Sequence, residues 1–346
     1  MDATDWIRTS TLYRTVRRHV GTSPLVVCEY NAWYRYTIQE VRPDAFRIPL
    51  RPGEAGRRVL RAIPRDARAV VMHVNVSRTA GVIADEAMLW AALRARGVTL
   101  INADASDIRK RTLHARCLEL GLPSLRASRS GPAAERVVIK TDLNYGGAPE
   151  QDLARTLGTR AERFTDALGP TRVSSPQYTL SRRGDVPAAA WDDPALVIER
   201  FVENPEGVFF RTYVVGPATC VSEVWSDDDI KKLSLPTRAR VNHFFWDAGG
   251  VDIAAGPSSG RATRVAALAR RVAGALGVSF GALDSVMDPD GALFVVDVNK
   301  TPYWGTDVRP DIIAHLRLGL DDLVATGGRS GADKRDGCDG TASARL

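Results

Sequence analysis

Lysine is nearly missing from this 346-residue chain: of 47 basic residues only Lys110, Lys140, Lys231, Lys232, Lys300 and Lys334 are lysine, and the rest are arginine. Cysteine is as sparse. Cys28, Cys117, Cys220 and Cys338 stand far apart with no paired spacing, which excludes a disulfide framework and a structural zinc motif and predicts a reducing, cytoplasmic setting. Long apolar runs are absent too. Residues 67–76 and 292–298 are broken by charge well short of the roughly 20 residues that span a bilayer, and no signal-peptide stretch opens the chain, so no membrane association is expected. The five histidines are scattered, and no Ser/His/Asp or Cys/His arrangement for a protein nucleophile emerges. His73, at the end of a predicted strand, reads as a core histidine.

What is present is a 44% hydrophobic content, enough for two or three subdomains, and a net charge of +6. That charge is spread along the chain rather than gathered in a block, so nucleic acid is not the expected partner. Against an arginine background, a lysine marks a place where a compact ammonium is wanted, and five of the six fall in the segments singled out below.

Residues 24–28 and 68–74 read as strands, 83–96 as a helix with Leu89 and Leu93 on one face, and 97–101 as the next strand, together an open α/β unit. Ser106 or Asp107 is the expected cap of a following helix that buries Leu113, Cys117 and Leu120 and stops at residues 121–123. Beyond it the pattern turns to strands at 137–140, 196–202, 209–215 and 219–224, with a helix expected over 153–168 and an amphipathic one over 261–276. The expected division is an N-terminal α/β domain over 1–122, a small subdomain over 123–202, a C-terminal subdomain over 203–326 and a disordered tail over 327–346. There is no internal repeat.

Residues 281–288 and 292–299 read as a hairpin closed by Asp288-Pro289-Asp290-Gly291. Pairing Asp288 with Gly291 puts Asp284 opposite Val295, with Asp297 and Asn299 on the same face and Asp297 on the diagonal, about 7–8 Å away. Two carboxylates and an amide oxygen so placed suit one or two hard cations such as Mg2+. Solvated edge charges are the alternative, but both aspartates sit in apolar surroundings where unpaired carboxylates are costly. The register assumes no β-bulge, since one extra residue would turn Asp297 away.

With that hairpin, Phe280-Gly-Ala-Leu-Asp284 and Phe294-Val-Val-Asp297-Val-Asn299-Lys-Thr-Pro302 resemble the metal-binding strands of the ATP-grasp superfamily, and the likeness covers about residues 107–305. The resemblance implies an ATP-grasp fold of α/β (α+β) class preceded by an open α/β pre-ATP-grasp domain, as in D-alanyl-D-alanine ligases and ribosomal-protein glutamate ligases. It implies that Asp284, Asp297 and Asn299 hold Mg2+ against the terminal phosphates of ATP, although Asp297 stands where the family more often has glutamate. Lys140 and the turn Asn144-Tyr145-Gly146-Gly147 resemble the family's lysine and glycine-rich phosphate loop, and Lys110 its other nucleotide-contacting lysine. Residues 195–202 resemble the strand that clamps adenine: Glu199 would accept from the base's amino group, Phe201 and Val202 would read the ring by their backbone, and Glu206 would take the ribose hydroxyls. Arg211 resembles the arginine that meets the transferring phosphoryl group, and Lys232 after the acidic run offers a second contact. Lys300 is within reach of either the phosphates or an acidic substrate, and Arg309 is the candidate carboxylate clamp.

The implied activity is an ATP-dependent ligase joining a small-molecule carboxylate to an amine through an acyl phosphate, with Arg211, Lys232 and Asn299 as the catalytic candidates. Dipeptide-forming members carry an arginine two residues before the first metal acid, where this chain has Ala282. An ATP-grasp kinase acting on a hydroxyl and a non-catalytic nucleotide-binding module are the alternatives, and a homodimer is left open as the assembly.

Overall fold

A computed structural model of the chain describes residues 23–30, 36–158, 178–226, 229, 240–247, 260–303 and 309–326. The expected tail at 327–346 lies outside them. Strands β1 (Leu25–Tyr30), β2 (Phe46–Pro49), β4 (Ala69–Val74) and β6 (Thr99–Ile101) form a parallel sheet in the order β2-β1-β4-β6, while β3 (Glu54–Ala55) and β5 (Ile83–Ala84) make a separate short pair. A parallel sheet is covered on both faces, which is why its strands are continuous apolar runs. Leu25, Val27, Ala69 and Val71 enter one core; Val26, Cys28, Val70 and Met72 enter another, together with Leu89 and Leu93. The helices here are α1 (Thr37–Val41), α2 (Gly56–Ala62) and α3 (Glu86–Ala95).

The next helix, α4 (Lys110–Glu119), starts later than its expected caps. Its first N–H groups are satisfied from a distance: Lys110 N–H donates to the Asp142 carbonyl at 3.1 Å and Arg111 N–H to Asp142 Oδ1 at 2.8 Å, while Asp107 is taken up by Arg109. Asp142 follows strand β7 (Arg136–Thr141), so this remote cap fixes the helix carrying Lys110 and His114 to the strand carrying Lys140. Burial pushes the Asp142 carboxyl above its ordinary range, against the pull of the Arg111 N–H. Asp142→Ala is therefore expected to cost about 0.5–2 kcal/mol in urea unfolding. Asp142→Asn, which keeps the acceptor and removes the buried charge, should cost less.

After β7 come α5 (Ala148–Leu157), β8 (Tyr178–Arg182), α6 (Ala188–Asp192) and β9 (Leu196–Arg200). The helix expected over 153–168 begins earlier, because Gly147 and Pro149 give it a start at Ala148, and the part beyond 158 lies outside the described residues. The sheet β8-β7-β9 is antiparallel and its core is small, centred on Val137, Val186 and Ile198. The third sheet is larger. It joins β10 (Val208–Val215), β11 (Ala218–Trp225), β12 (Arg240–Trp246), β13 (Phe280–Met287) and β14 (Leu293–Asn299) in the antiparallel order β12-β11-β10-β13-β14. Helix α7 (Gly260–Ala275) and α4 cover one face, where Val265, Val272, Leu113 and Cys117 meet Phe210, Leu283 and Val298. On the other face Tyr213, Val215 and Phe280 share a core with Leu25 and Val27 of the parallel sheet and with α8 (Pro310–Thr326). Cores thus cross residues 122 and 202: α4 packs under the third sheet, and Leu153 and Leu157 of α5 pack in the first. Among the described residues no helix is long and apolar enough to cross a membrane.

The hairpin register differs from the expected one by two compensating steps. Gly291 N–H donates to the Asp288 carbonyl, and Asp288 N–H pairs with the Ala292 carbonyl, so the loop holds three residues rather than two, with Gly291 at φ 80°. That alone would move every β14 side chain to the wrong face. A bulge then intervenes: Ser285 pairs with Val295 but Asp284 with Asp297, leaving Val296 as the extra residue. The bulge therefore restores the shared face instead of destroying it. Asp297 ends directly opposite Asp284 rather than on its diagonal.

Candidate active site

Residues in register on neighbouring strands share a face, and five polar ones do so across the third sheet. His243 pairs with Ser222, Ser222 with Arg211, Arg211 with Asp284, and Asp284 with Asp297. Arg211 Nη1 lies 3.2 Å from both Asp284 oxygens. Burial pushes the Asp284 carboxyl above its ordinary range; Arg211 opposes that shift and the Asp297 carboxylate adds to it. Lys110 Nζ stands 3.7 Å from Asp297 Oδ1 and donates to Asn144 Oδ1 at 3.1 Å and to the Leu143 carbonyl at 3.3 Å. Asn299, opposite Ala282, is on the same face; its Nδ2 donates to the Tyr145 hydroxyl and its Oδ1 accepts the Thr301 N–H at 2.9 Å. Ser222 Oγ and His243 Nδ1 are 2.9 Å apart and extend the row. Only the strand pairing reveals those two.

The glycine turn closes over this face. Tyr145, Gly146 and Gly147 have φ of 51°, 68° and 80°, the left-handed region that glycine enters freely and tyrosine only at a cost. Side-chain bonds hold it there. Asn144 Nδ2 donates to the Val298 carbonyl at 2.7 Å and Asn144 N–H to Ser77 Oγ at 2.8 Å, so the turn is tied to β14 and to the loop after β4.

Lys140 and Glu199 form a buried pair, Nζ to Oε2 at 2.5 Å, and Lys140 also reaches the carbonyl of the bulged Val296 at 3.5 Å. Glu199 Oε1 lies 3.1 Å from His114 Nε2, and His114 Nδ1 is 3.2 Å from Ser124 Oγ. Burial alone would raise the Glu199 carboxyl, but the Lys140 ammonium and the His114 contact bring it down to about 2. With 1% of its surface exposed, Glu199 spends both oxygens on Lys140 and His114. His114 carried no signal in the sequence beyond its place on a helix.

The other predicted residues lie farther out. Phe201 N–H donates to the Arg136 carbonyl at 2.9 Å and its ring lies under the Arg136 guanidinium at 4.1 Å; β9 ends before it, and Val202 is half-buried. Glu206 pairs with Arg261 at the surface. Arg309 is exposed and pairs with Asp311 at 2.7 Å. His73 is fully buried with its ring 4.8 Å from that of Tyr36. Lys232 lies outside the described residues.

Asp284, Asp297 and Asn299 offer hard oxygen donors on one face, and the raised Asp284 carboxyl gains from a cation beside it. Among the described residues no group of three or more His, Cys, Asp or Glu side chains is poised to hold a metal. A two-carboxylate set of this kind suits Mg2+, whose remaining positions go to water and ligand phosphates.

No protein-family model matches the chain, and no curated protein matches it. Solved structures are similar in outline. D-alanine–D-alanine ligase from Bacillus anthracis is 12% identical over 88% of this chain and 96% of its own, with a TM-score of 0.47. The ATP-grasp ligase PsnB, complexed with a phosphomimetic precursor variant, Mg and ADP, is 15% identical over 88% of this chain and 99% of its own, with a TM-score of 0.45. VanG D-Ala:D-Ser ligase from Enterococcus faecalis is 14% identical over 88% and 99%, with a TM-score of 0.42. Likeness at that level assigns neither reaction nor substrate.

Proposed function

We propose that this chain is an ATP-grasp ligase, which phosphorylates a small-molecule carboxylate with ATP and joins it to an amine. The observation that carries the reading is the direct opposition of Asp284 and Asp297 with Asn299 on the same face, flanked by Arg211 and Lys110. Carboxylates are brought face to face at a cost, and a cation-bound polyphosphate is the ligand that removes it. Asp284, Asp297 and Asn299 would hold Mg2+, which when bound neutralises charge on the terminal phosphates.

The chain's own groups do the rest. Lys140 and the N–H groups of the turn at Gly146 and Gly147 bind phosphate oxygens, and Arg211 balances the charge that develops on the transferring phosphoryl group. The backbone at Phe201 and Val202 borders the base, Glu206 serves the ribose hydroxyls, and Glu199 acts by holding Lys140 in place. A substrate carboxylate oxygen attacks the γ-phosphorus, the bond to the β-phosphate oxygen breaks, and ADP leaves. The amine nitrogen then attacks the acyl carbon, phosphate departs with the C–O electron pair, and the new amide nitrogen sheds its proton to solvent.

The test is incubation with ATP, Mg2+ and pools of carboxylates in the presence of hydroxylamine. Hydroxamate formed together with ADP is the expected outcome, since only an activated acyl group yields it. ADP with a phosphorylated alcohol and no hydroxamate would make the protein a kinase. Binding of nucleotide without turnover would make it a binding module.

A further inference from the structure

Helix α4 carries two polar side chains on one buried face, Lys110 and, one turn on, His114, which are 2% and 1% exposed. Lys110 meets Asp297 directly, while His114 reaches across to Glu199 on β9 of the small sheet. The hydrogens of that contact are fixed by its partners. Glu199 is ionised and can only accept, so His114 Nε2 carries the hydrogen and donates. On the other side of the ring Ser124 Oγ takes the Arg126 N–H at 3.2 Å, which leaves its own hydroxyl hydrogen for His114 Nδ1, also 3.2 Å away. Arg126 is itself bridged to Glu199 through the backbone. One chain of hydrogen bonds therefore runs from the Arg126 N–H through Ser124 and His114 to Glu199 and ends on the Lys140 ammonium.

The ammonium at the end of that chain stands at the metal face. Lys140 Nζ lies 3.5 Å from the carbonyl of Val296, the residue before Asp297, and against the burial that raises the Asp284 carboxyl it acts with Arg211 to lower it. A carboxylate bonded to a lysine alone is free to swing and to wrap the ammonium with both oxygens. A second donor on its other oxygen denies it that freedom. We propose that His114 is a positioning residue for nucleotide binding: through Glu199 it aims the Lys140 ammonium at the phosphates. The proposal rests on the nucleotide-binding half of the ligase reading and deepens it. Helix α4 thereby sets both lysines of the phosphate site, Lys110 by its own side chain and Lys140 through Glu199. The Asp142 cap holds the same helix to the strand from which Lys140 extends.

The experiment is calorimetric titration of the full chain with β,γ-methylene ATP and Mg2+, comparing two amides at position 114. Glutamine reaches as far as the ring's Nε2 and keeps a donor for Glu199; asparagine reaches only as far as Nδ1 and keeps Ser124 instead. Both put the same group in the same buried place, so a purely structural role predicts equal effects. His114→Asn is expected to weaken nucleotide binding about tenfold, as loss of a charged hydrogen bond does, and His114→Gln by no more than about threefold. The loss should also depend on the pair. Added to Lys140→Met/Glu199→Leu, His114→Asn should change affinity by less than about twofold, because the residues it acts through are gone. If His114→Asn does not fold, Ser124→Ala, which deletes only the hydroxyl that orients the ring, carries the test with an expected loss of about threefold. Equal losses in the two amide variants, a Ser124→Ala chain that binds like the parent, or a full tenfold loss without Lys140 and Glu199 would overturn the positioning role and leave the ligase reading standing. Failure of the parent chain to bind nucleotide would remove the ligase reading and this proposal with it.

Discussion

Asp297→Ala is expected to lower ATP turnover by on the order of 10²–10³-fold or more while moving the melting temperature by no more than about 2 °C. The asymmetry follows from what the side chain touches. In the folded chain Asp297 Oδ1 accepts its own neighbour's N–H, from Val298 at 3.0 Å, and meets Lys110 at 3.7 Å. Lys110 keeps Asn144 and Leu143 when the carboxylate goes, so no buried charge is stranded. Asp284, meanwhile, loses a like charge directly across the strand pair, which offsets part of any loss. What disappears is the second carboxylate of a two-carboxylate set. Asp284→Ala is the poorer probe, because Arg211 would be left without its partner at 3.2 Å and the strand would weaken along with the chemistry. Calorimetry for the melt and coupled detection of ADP for turnover decide the matter. An Asp297→Ala variant that turns over at the parent rate would remove the metal assignment.

The hairpin shows how far the sequence can be read and where reading stops. Its strands and the shared face of Asp284, Asp297 and Asn299 were legible because alternation and turn chemistry are local. The register was not. Asp288-Pro289-Asp290-Gly291 is compatible with two loop lengths, and the bulged residue lies in Val295-Val296, an apolar pair in which either member reads as core. Parity rescued the inference, since two one-residue errors of the same sense add to a whole side-chain repeat. Other elements left less trace. Strand β8 is mostly polar, and both β8 and β12 sit at sheet edges, where one-sided burial imposes little pattern. The cap of α4 was out of reach for a different reason: Asp142 lies 31 residues from the N–H it accepts, and no window along the chain holds both. His114, Ser222 and His243 join the site only through contacts between distant strands and helices. Spacing cannot announce such residues.

Glu199→Ala is expected to cost about 3–5 kcal/mol of stability, the penalty for stranding a buried charge, because Lys140 would keep its ammonium in the interior with no carboxylate bonded to it, only a carbonyl at 3.5 Å and the Tyr178 ring at 5.5 Å. The penalty should fall heavily on the small sheet β8-β7-β9, whose core offers little apolar burial to absorb it. If the pair exists for stability, replacing both members with apolar side chains should be harmless; if it exists to present an ammonium to phosphate, that same replacement should restore the fold and leave the protein inert. Lys140→Met/Glu199→Leu is expected to regain most of the stability lost in Glu199→Ala and to bind nucleotide at least about tenfold more weakly than the parent, since the phosphate-facing charge is gone. Acid unfolding gives an independent reading. The Glu199 carboxyl titrates lower in the folded chain, at about 2, than its ordinary value of 4.5, so the stabilisation it brings is complete above about pH 4.5 and is lost as the pH falls toward 2. The parent should therefore lose stability across that window more steeply than the double variant, which has no carboxylate there to protonate. Equal slopes in urea melts between pH 5 and 2 would mean that Lys140 does not hold Glu199 ionised, and the lysine would then need another explanation for its burial.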